Sequence, residues 1–411
     1  MTHKFDLQSV AFMRDPFPTL AALRDTGPVM EIKVPLMGRV WLATSHAAVT
    51  DMLKGADLFA SDGRNVPGGK STVPRWMPKN LRLLGENMLM MDDPDHRRLR
   101  KLVDGPFLAR SITAYRPQIA TLADGLLDRM EAEGNRDIVN GYARALPLLV
   151  ICEMLGLGGD DKQQFMDWTD QMTRSVGVWT ILRTMPALGR MIRYIRSEIA
   201  AARNGEREGL LVDLVNAESD GDRMSEDELV AMVAILFFAG HETTTHLVST
   251  GIATLCAHPD QLAALQADWA LAAPAVEELM RYNSPVQMTK PRIVRADIEC
   301  HGAQLKRGDR IMACLASANS DPAVFEDPEI FDIWRERPQR HTGFGGGIHL
   351  CLGLHLARAE GQIALERLFR RWPDLRVPQP IADRDWIARL GLHGYRSLPI
   401  EMEMPAQREA A

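Results

Sequence analysis

Cys351 stands alone between two glycine-bearing turns, in the stretch FGGGIHLCLG from Phe344 to Gly353, just where a helical apolar pattern begins. Such a thiol serves as a buried structural group, a nucleophile or a metal ligand. A nucleophile needs a histidine base in contact, and His349 is two residues away, a spacing that leaves the question to the fold. A further oddity is AGHETTTH, Ala239 to His246, which sets one glycine, one acid and three threonines inside an apolar helical pattern. Glu242 beside Thr243 suits a proton path into a dry cavity. The competing reading is a helix kinked at Gly240, with threonine hydroxyls bonded to carbonyls one turn back. His241 and His246 do not make a zinc pair: five residues put the rings about 140° apart around the axis, too far to close on one ion without unwinding. The run GGKST, Gly68 to Thr72, misses the phosphate-binding motif, which needs glycine where Arg64 stands. A basic surface loop is expected there.

The elements that must hold these groups are mostly helices. Ser225 with Glu228 forms a capping box, and helical spacing runs from there to about Ala257, where His258-Pro259 stops it. Further helical stretches are PFPTLAALRD, AYRPQIATLADGLLDRMEAEG and ALPLLVICEMLGLG. Strand signals are short: VMEIKV, VWLAT, RIVRADIE, AQLKRGDRIMAC and PIEMEM near the end. The irregular stretch Ser61 to Asn80 is too long for an idle connection, and a lid is expected. The 411 residues, 46% hydrophobic and 25% charged, suffice for a large core, and with no linker or repeat in view a single unit over 1–411 is expected. A net charge of -6 gives no general attraction to nucleic acid, so any basic patch must be local. The longest uncharged apolar run near the middle, Leu229 to Ala239, has 11 residues, short of the roughly 18 of a membrane span. No membrane anchor is expected. The N-terminus lacks a secretory layout and the cysteines are scattered, which fits a reducing cytoplasm.

With Cys152, Cys256, Cys300 and Cys314 remote in sequence, a zinc site at Cys351 lacks its other ligands. Haem iron needs only one thiolate, because the porphyrin fills the equatorial positions. The glycines then have a use: Gly345 to Gly347 and Gly353 let backbone pass close to a flat macrocycle, and the following helix start favours thiolate. The residues resemble the cytochromes P-450, the haem-thiolate monooxygenases. The haem-loop pattern F-x-x-G-x-x-x-C-x-G is met by Phe344, Gly347, Cys351 and Gly353. The pattern A-G-x-[DE]-T is met by Ala239, Gly240, Glu242 and Thr243, and E-x-x-R by Glu278 and Arg281. The likeness runs from DPFPTLAALR to GYRSLPIEM, nearly the whole chain.

That resemblance implies a mainly α fold with small β-sheets, the cytochrome P-450 fold, with haem b (iron protoporphyrin IX) between the long central helix and the cysteine loop. It implies Cys351 as axial ligand, Phe344 beside the sulfur, and Gly345, Gly353, Ala239 and Gly240 along the macrocycle. His96, Arg100, Arg292 and His349 are the implied propionate partners. Glu242 and Thr243 are the implied proton-steering pair. Glu278 and Arg281, which taken alone read as a solvated ion pair, become a buried structural pair. The implied reaction inserts one oxygen atom of O2 into a C–H bond. The implied pocket wall comprises the Ser61 to Met91 region, Gln171 to Met191, Leu236 and Ala239, Val286 to Thr289 with Met288, and Leu390 to His393 with Leu392. Its apolar, Met-rich character suggests a lipophilic substrate. No flavin or iron–sulfur segment follows Met404, so a separate donor, a ferredoxin, is expected, with a monomeric enzyme. Arg97 and Lys101 share a second face of the His96 helix, either as a docking patch for that donor or as a simple solvated face. A peroxygenase or isomerase is the alternative; it usually lacks the acid–alcohol pair.

Overall fold

The structure is a computed structural model that describes residues 5–34, 37–71, 73, 77–157, 168, 178–219, 221–336 and 340–402. The expected central helix is Glu226–Ala257, 32 residues long, and its capping box forms as the sequence requires. The Ser225 hydroxyl accepts from the Glu228 N–H while the Glu228 carboxylate accepts from the Ser225 N–H, satisfying two otherwise orphan donors. Around this helix pack Ala145–Leu155, Val178–Arg203, Ala272–Asn283 and Leu354–Arg371. The Ala109–Glu133 helix covers the last of these, and buried Tyr142, on the Val139–Ala143 turn that follows, donates to the Ala364 carbonyl at 3.0 Å. Close approach is possible because Gly361 faces Leu247 and Val276, where a Cβ would sit 3.2 and 3.3 Å from their methyl groups.

Strands are few and short. β1 (Val29–Val34) and β2 (Gly38–Ala43) form a hairpin; β3 is Phe59–Ala60; β4 (Glu218–Ser219) and β5 (Asp222–Arg223) pair locally. β6 (Arg292–Val294) and β9 (Arg310–Ala313) join the first three in a sheet of order β1-β2-β9-β6-β3, and β7 (Ile298–Cys300) pairs with β8 (Ala303–Leu305). The parallel step from β2 to β9 sets Trp41 opposite Ile311, so distant parts of the chain share one sheet. Among its described residues the PIEMEM segment makes isolated bridges, Pro399 with Asp137 and Glu401 with Arg376.

The stretch expected as a loose lid is tied down at its start. Ser61 and Asp62 are buried, and their N–H groups donate to the Asp92 carboxylate at 2.8 and 3.2 Å. Gly63–Asn65 forms a 3-10 turn and Lys79–Gly85 a short helix, while Gly68, Gly69 and Lys70 between them lie exposed, as expected of a basic surface loop. The Glu278–Arg281 pair is not solvated: both side chains are wholly buried and joined by bonds of 2.8 and 2.7 Å.

Candidate active site

The cysteine loop is shaped by two left-handed glycines, Gly345 (φ 69°) and Gly347 (φ 64°). At Gly347 a Cβ would also lie 2.3 Å from the Leu53 carbonyl oxygen, so no other residue fits. The Cys351 N–H donates to the Phe344 carbonyl at 2.9 Å, closing the loop, and Gly353 caps the Leu354–Arg371 helix. Cys351 is enclosed by protein yet keeps open surface, as a group lining an internal space does. Burial pushes its thiol up, outweighing the Gly353 N–H and the nearby Arg100 and Arg358. The helix start does not by itself make a thiolate here; a bound metal ion does.

Behind the sulfur, the Arg358 guanidinium lies 4.9 Å from the Phe344 ring centroid and grips Glu277 through bonds of 2.5 and 2.8 Å. His341 reaches the same carboxylate at 3.3 Å. Burial works against ionisation of Glu277, but His341 and Arg358 carry its pKa down to about 2.

The central helix opens midway. Ala239 is exposed and Gly240, Glu242 and Thr243 are half-buried, although the turns on either side are buried. The threonine back-bonds expected from the sequence form: Thr243 donates to the Ala239 carbonyl at 2.8 Å and Thr245 to His241 at 2.7 Å. Glu242 is not a lone acid. Arg389 donates to its Oε1 at 2.6 Å, and although burial acts upward, Arg389 holds the carboxyl below its ordinary range. Sequence reasoning missed Arg389, whose only signal is a cation next to the apolar wall Leu390 to His393.

At the edge, the buried His96 ring meets His349 at 4.5 Å between centroids, and His349 Nε2 lies 3.0 Å from the Ser61 hydroxyl. Arg292 is buried, donating to the Met52 and Leu53 carbonyls at 3.0 and 3.2 Å. Burial, then His96 and Arg292, hold His349 down to about 3. A buried histidine held neutral beside two further basic groups is a site for an anion, which would restore its charge. Arg100, one turn after His96 on the same helix, donates to the Asp104 carboxylate at 2.5 Å and to the Leu350 carbonyl at 2.7 Å.

A thiol at a helix start, a central helix packed against that helix with Ala239 exposed on it, and a basic edge fit haem b: sulfur for the iron, an uncovered helix face for the macrocycle, and cations for propionates. A family model described as Cytochrome P450 matches residues 184–375. The cytochrome P450 monooxygenase PikC of Streptomyces venezuelae is 37% identical over 95% of this chain and 91% of its own. The polyketide biosynthesis cytochrome P450 PksS of Bacillus subtilis (strain 168) is also 37% identical, over 95% of this chain and 96% of its own. A solved structure of PksS superposes with a TM-score of 0.88 at 35% identity, covering 97% of this chain and all of that one. The chain belongs to the cytochrome P450 family.

As a cytochrome P450 it is a haem b monooxygenase, an oxidoreductase, and its helix-rich fold with small sheets is that of its relatives. Of the pocket residues read from the sequence, Val286 and Leu392 are brought together by a β-bridge and stay half-buried, while Met288 bridges Cys314 and is buried in the core with Leu236. The wall from Gln171 lies outside the described residues as far as position 177. Arg97 is exposed and paired with Asp93 at 2.6 Å, and Lys101 is exposed one turn on. No helix among the described residues is long and apolar enough to cross a membrane.

Proposed function

We propose that this cytochrome P450 inserts one oxygen atom of O2 into a C–H bond of a lipophilic small molecule, drawing electrons from a separate ferredoxin. The observation that carries the reading is the break in burial along the central helix, where Ala239 is exposed and Glu242 and Thr243 are half-buried in an otherwise buried helix. Bound haem supplies the metal that binds and reduces O2. The protein's part would be to hold the iron through the Cys351 sulfur, to fix the propionates with His96, Arg100, Arg292 and His349, and to bring protons through Glu242 and Thr243. Thr243 spends its hydroxyl proton on the Ala239 carbonyl, so beyond that bond it offers lone pairs. It accepts and orients a proton-bearing group, while Glu242 supplies the proton. A peroxygenase or isomerase has no use for this pair.

The Val286–Leu392 wall supports an apolar substrate, and relatives named for vitamin D(3) 25-hydroxylation and 6-deoxyerythronolide B hydroxylation agree with a large one. We read the protein as one haem domain over 1–411, cytoplasmic and monomeric, with Arg97 and Lys101 at the donor face. The test uses ferredoxin, its reductase and isotopically labelled O2 on substrates chosen by the haem spin shift. One labelled atom per product is expected; label from water, or turnover only with peroxide, sinks the reading. In the same preparation Cys351→Ala should abolish the thiolate-type band of the reduced carbon monoxide complex, and Cys256→Ala and Cys314→Ala should keep it. The opposite pattern would remove Cys351 as ligand.

A further inference from the structure

His246, one turn beyond Glu242 on the central helix, is 2% exposed, and neither of its ring nitrogens has a hydrogen-bond partner among the described residues. A buried polar atom left unpaired forfeits its hydration, so the position is held against its own stability. Leucine would fit the surrounding pattern at no such cost. The neighbouring turn is shaped to admit the ring. A Cβ on Gly394 would sit 2.1 Å from His246 Nδ1, 2.5 Å from Cγ and 2.8 Å from Cε1. These distances place it over the ring face rather than at its edge, so the imidazole lies flat on Gly394 and that residue leaves the nitrogen edges clear.

Other unpaired groups belong to the same seam. The Asn283 carbonyl accepts from His393 Nδ1 at 2.7 Å, and the Gln287 N–H donates to the Gly391 carbonyl at 2.9 Å, so residues 283–287 run along the 391–394 turn. Asn283 Nδ2 and both polar atoms of the Gln287 amide are buried without a partner among the described residues. The charged and titratable groups facing His246 are Glu242 and His241 from its own helix and Arg389 and His393 from the turn. Burial keeps the imidazole neutral, with a pKa of about 4, so at neutral pH one nitrogen is a donor and the other an acceptor.

Building on the proton-supply role proposed for Glu242, we propose that His246 is a relay residue in a hydrated seam behind it, bringing protons to Glu242 from the side away from the substrate. Ordered water bonds the two nitrogen edges and the neighbouring amides. In each transfer a proton entering from solvent reaches the seam water as hydronium; one nitrogen takes it, leaving neutral water, while the other releases its own proton, through water, to the Glu242 carboxylate. One N–H bond forms as one breaks, the ring changes tautomer, and no net charge stays on it. The first tautomer returns when the new N–H gives its proton to seam water and the bare nitrogen takes one from solvent-connected water, with Glu242 outside that exchange.

The test compares His246→Leu and His246→Gln holoenzymes with wild type and Glu242→Gln. Both His246 variants should load haem and shift spin state with substrate normally, and leucine should keep or raise Tm. Donor oxidation should slow several-fold in both, in the same direction as in Glu242→Gln, with a larger solvent isotope effect. Glutamine holds water but does not exchange protons, so a glutamine variant that restores what leucine loses would show hydration alone and overturn the relay. An unchanged rate and isotope effect would overturn it too. If Glu242→Gln is itself unimpaired, the failure lies with the proton-supply reading of Glu242. A crystal structure of the wild-type holoenzyme gives a readout free of turnover: water on the His246 nitrogen edges is expected, and a protein group on both would refute the seam.

Discussion

Thr243 makes a hydrogen bond that a helix does not need, since its hydroxyl donates to a carbonyl already available to the backbone ladder. If that hydroxyl orients a proton-bearing group, Thr243→Ala should keep haem and substrate affinity but lose most product per donor oxidised, with hydrogen peroxide released instead. If it only braces the helix, alanine, a better helix former by a few tenths of a kcal/mol, should leave the yield alone. Glu242→Gln should instead slow the whole cycle, by about a hundredfold for a lost acid–base group, read as the rate of donor oxidation. Another acid tests burial. Glu360 is fully buried, and desolvation pushes its carboxyl up to about 8 against the opposing hydrogen bond from Thr244. The folded protein therefore holds a proton that the unfolded chain releases near the ordinary value. The stability this contributes is present below about pH 4.5 and drains away as pH rises towards 8, at up to about 1.4 kcal/mol per unit. Glu360→Gln should flatten that fall, seen as a Tm gap over wild type that widens from pH 5 to 8. Glu242, Thr243 and Cys351 were legible as motif residues because their neighbours in sequence are their neighbours in space. Arg389 and His246 were not. Arg389 acts across 147 residues, and His246 has the sequence appearance of half a failed zinc pair.

The central helix shows what local chemistry can specify. Its start, its end and its polar break follow from the capping box, the His258-Pro259 stop and the apolar spacing. The Ala272–Asn283 helix shows the opposite. Glu278 and Arg281 at i,i+3 have the spacing of any surface pair, and only the family likeness marked them as buried. The reason is that Arg281 also donates to the Asn319, Pro328 and Ile330 carbonyls, partners 38, 47 and 49 residues further along. Arg335 adds a further cation on Glu278 at 3.1 Å. Glu278→Gln would leave two guanidinium groups facing a neutral amide, and a broken buried pair costs about 3–5 kcal/mol. Little soluble holoprotein should be recovered, and what remains should unfold at clearly lower urea. A variant with the wild-type urea midpoint would show the pair to be dispensable.

Across the whole molecule, charge decides who approaches. A chain of net charge -6 repels an acidic donor except where cations gather, and Arg97 and Lys101 stand out on the exposed face of the Asp95–Phe107 helix. Arg97→Glu with Lys101→Glu should cut reduction by an acidic ferredoxin about tenfold at low salt and flatten its salt dependence, with substrate affinity unchanged. Equal rates would return both residues to a solvated face. The pairing of distant chain segments, above all β2 with β9, had no signature in the sequence because register between short strands is set by what they jointly bury. One such pairing bears on how the protein is made. Arg292 reaches back 240 residues to the Met52 carbonyl, and Gly347 rests on Leu53 beside it. On the ribosome the seat for the loop emerges long before the thiol, so the growing chain has no axial ligand to offer until Cys351 has been made. Haem loading therefore waits on that part of the chain, and fragments truncated ahead of Cys351 should carry no thiolate-type haem spectrum.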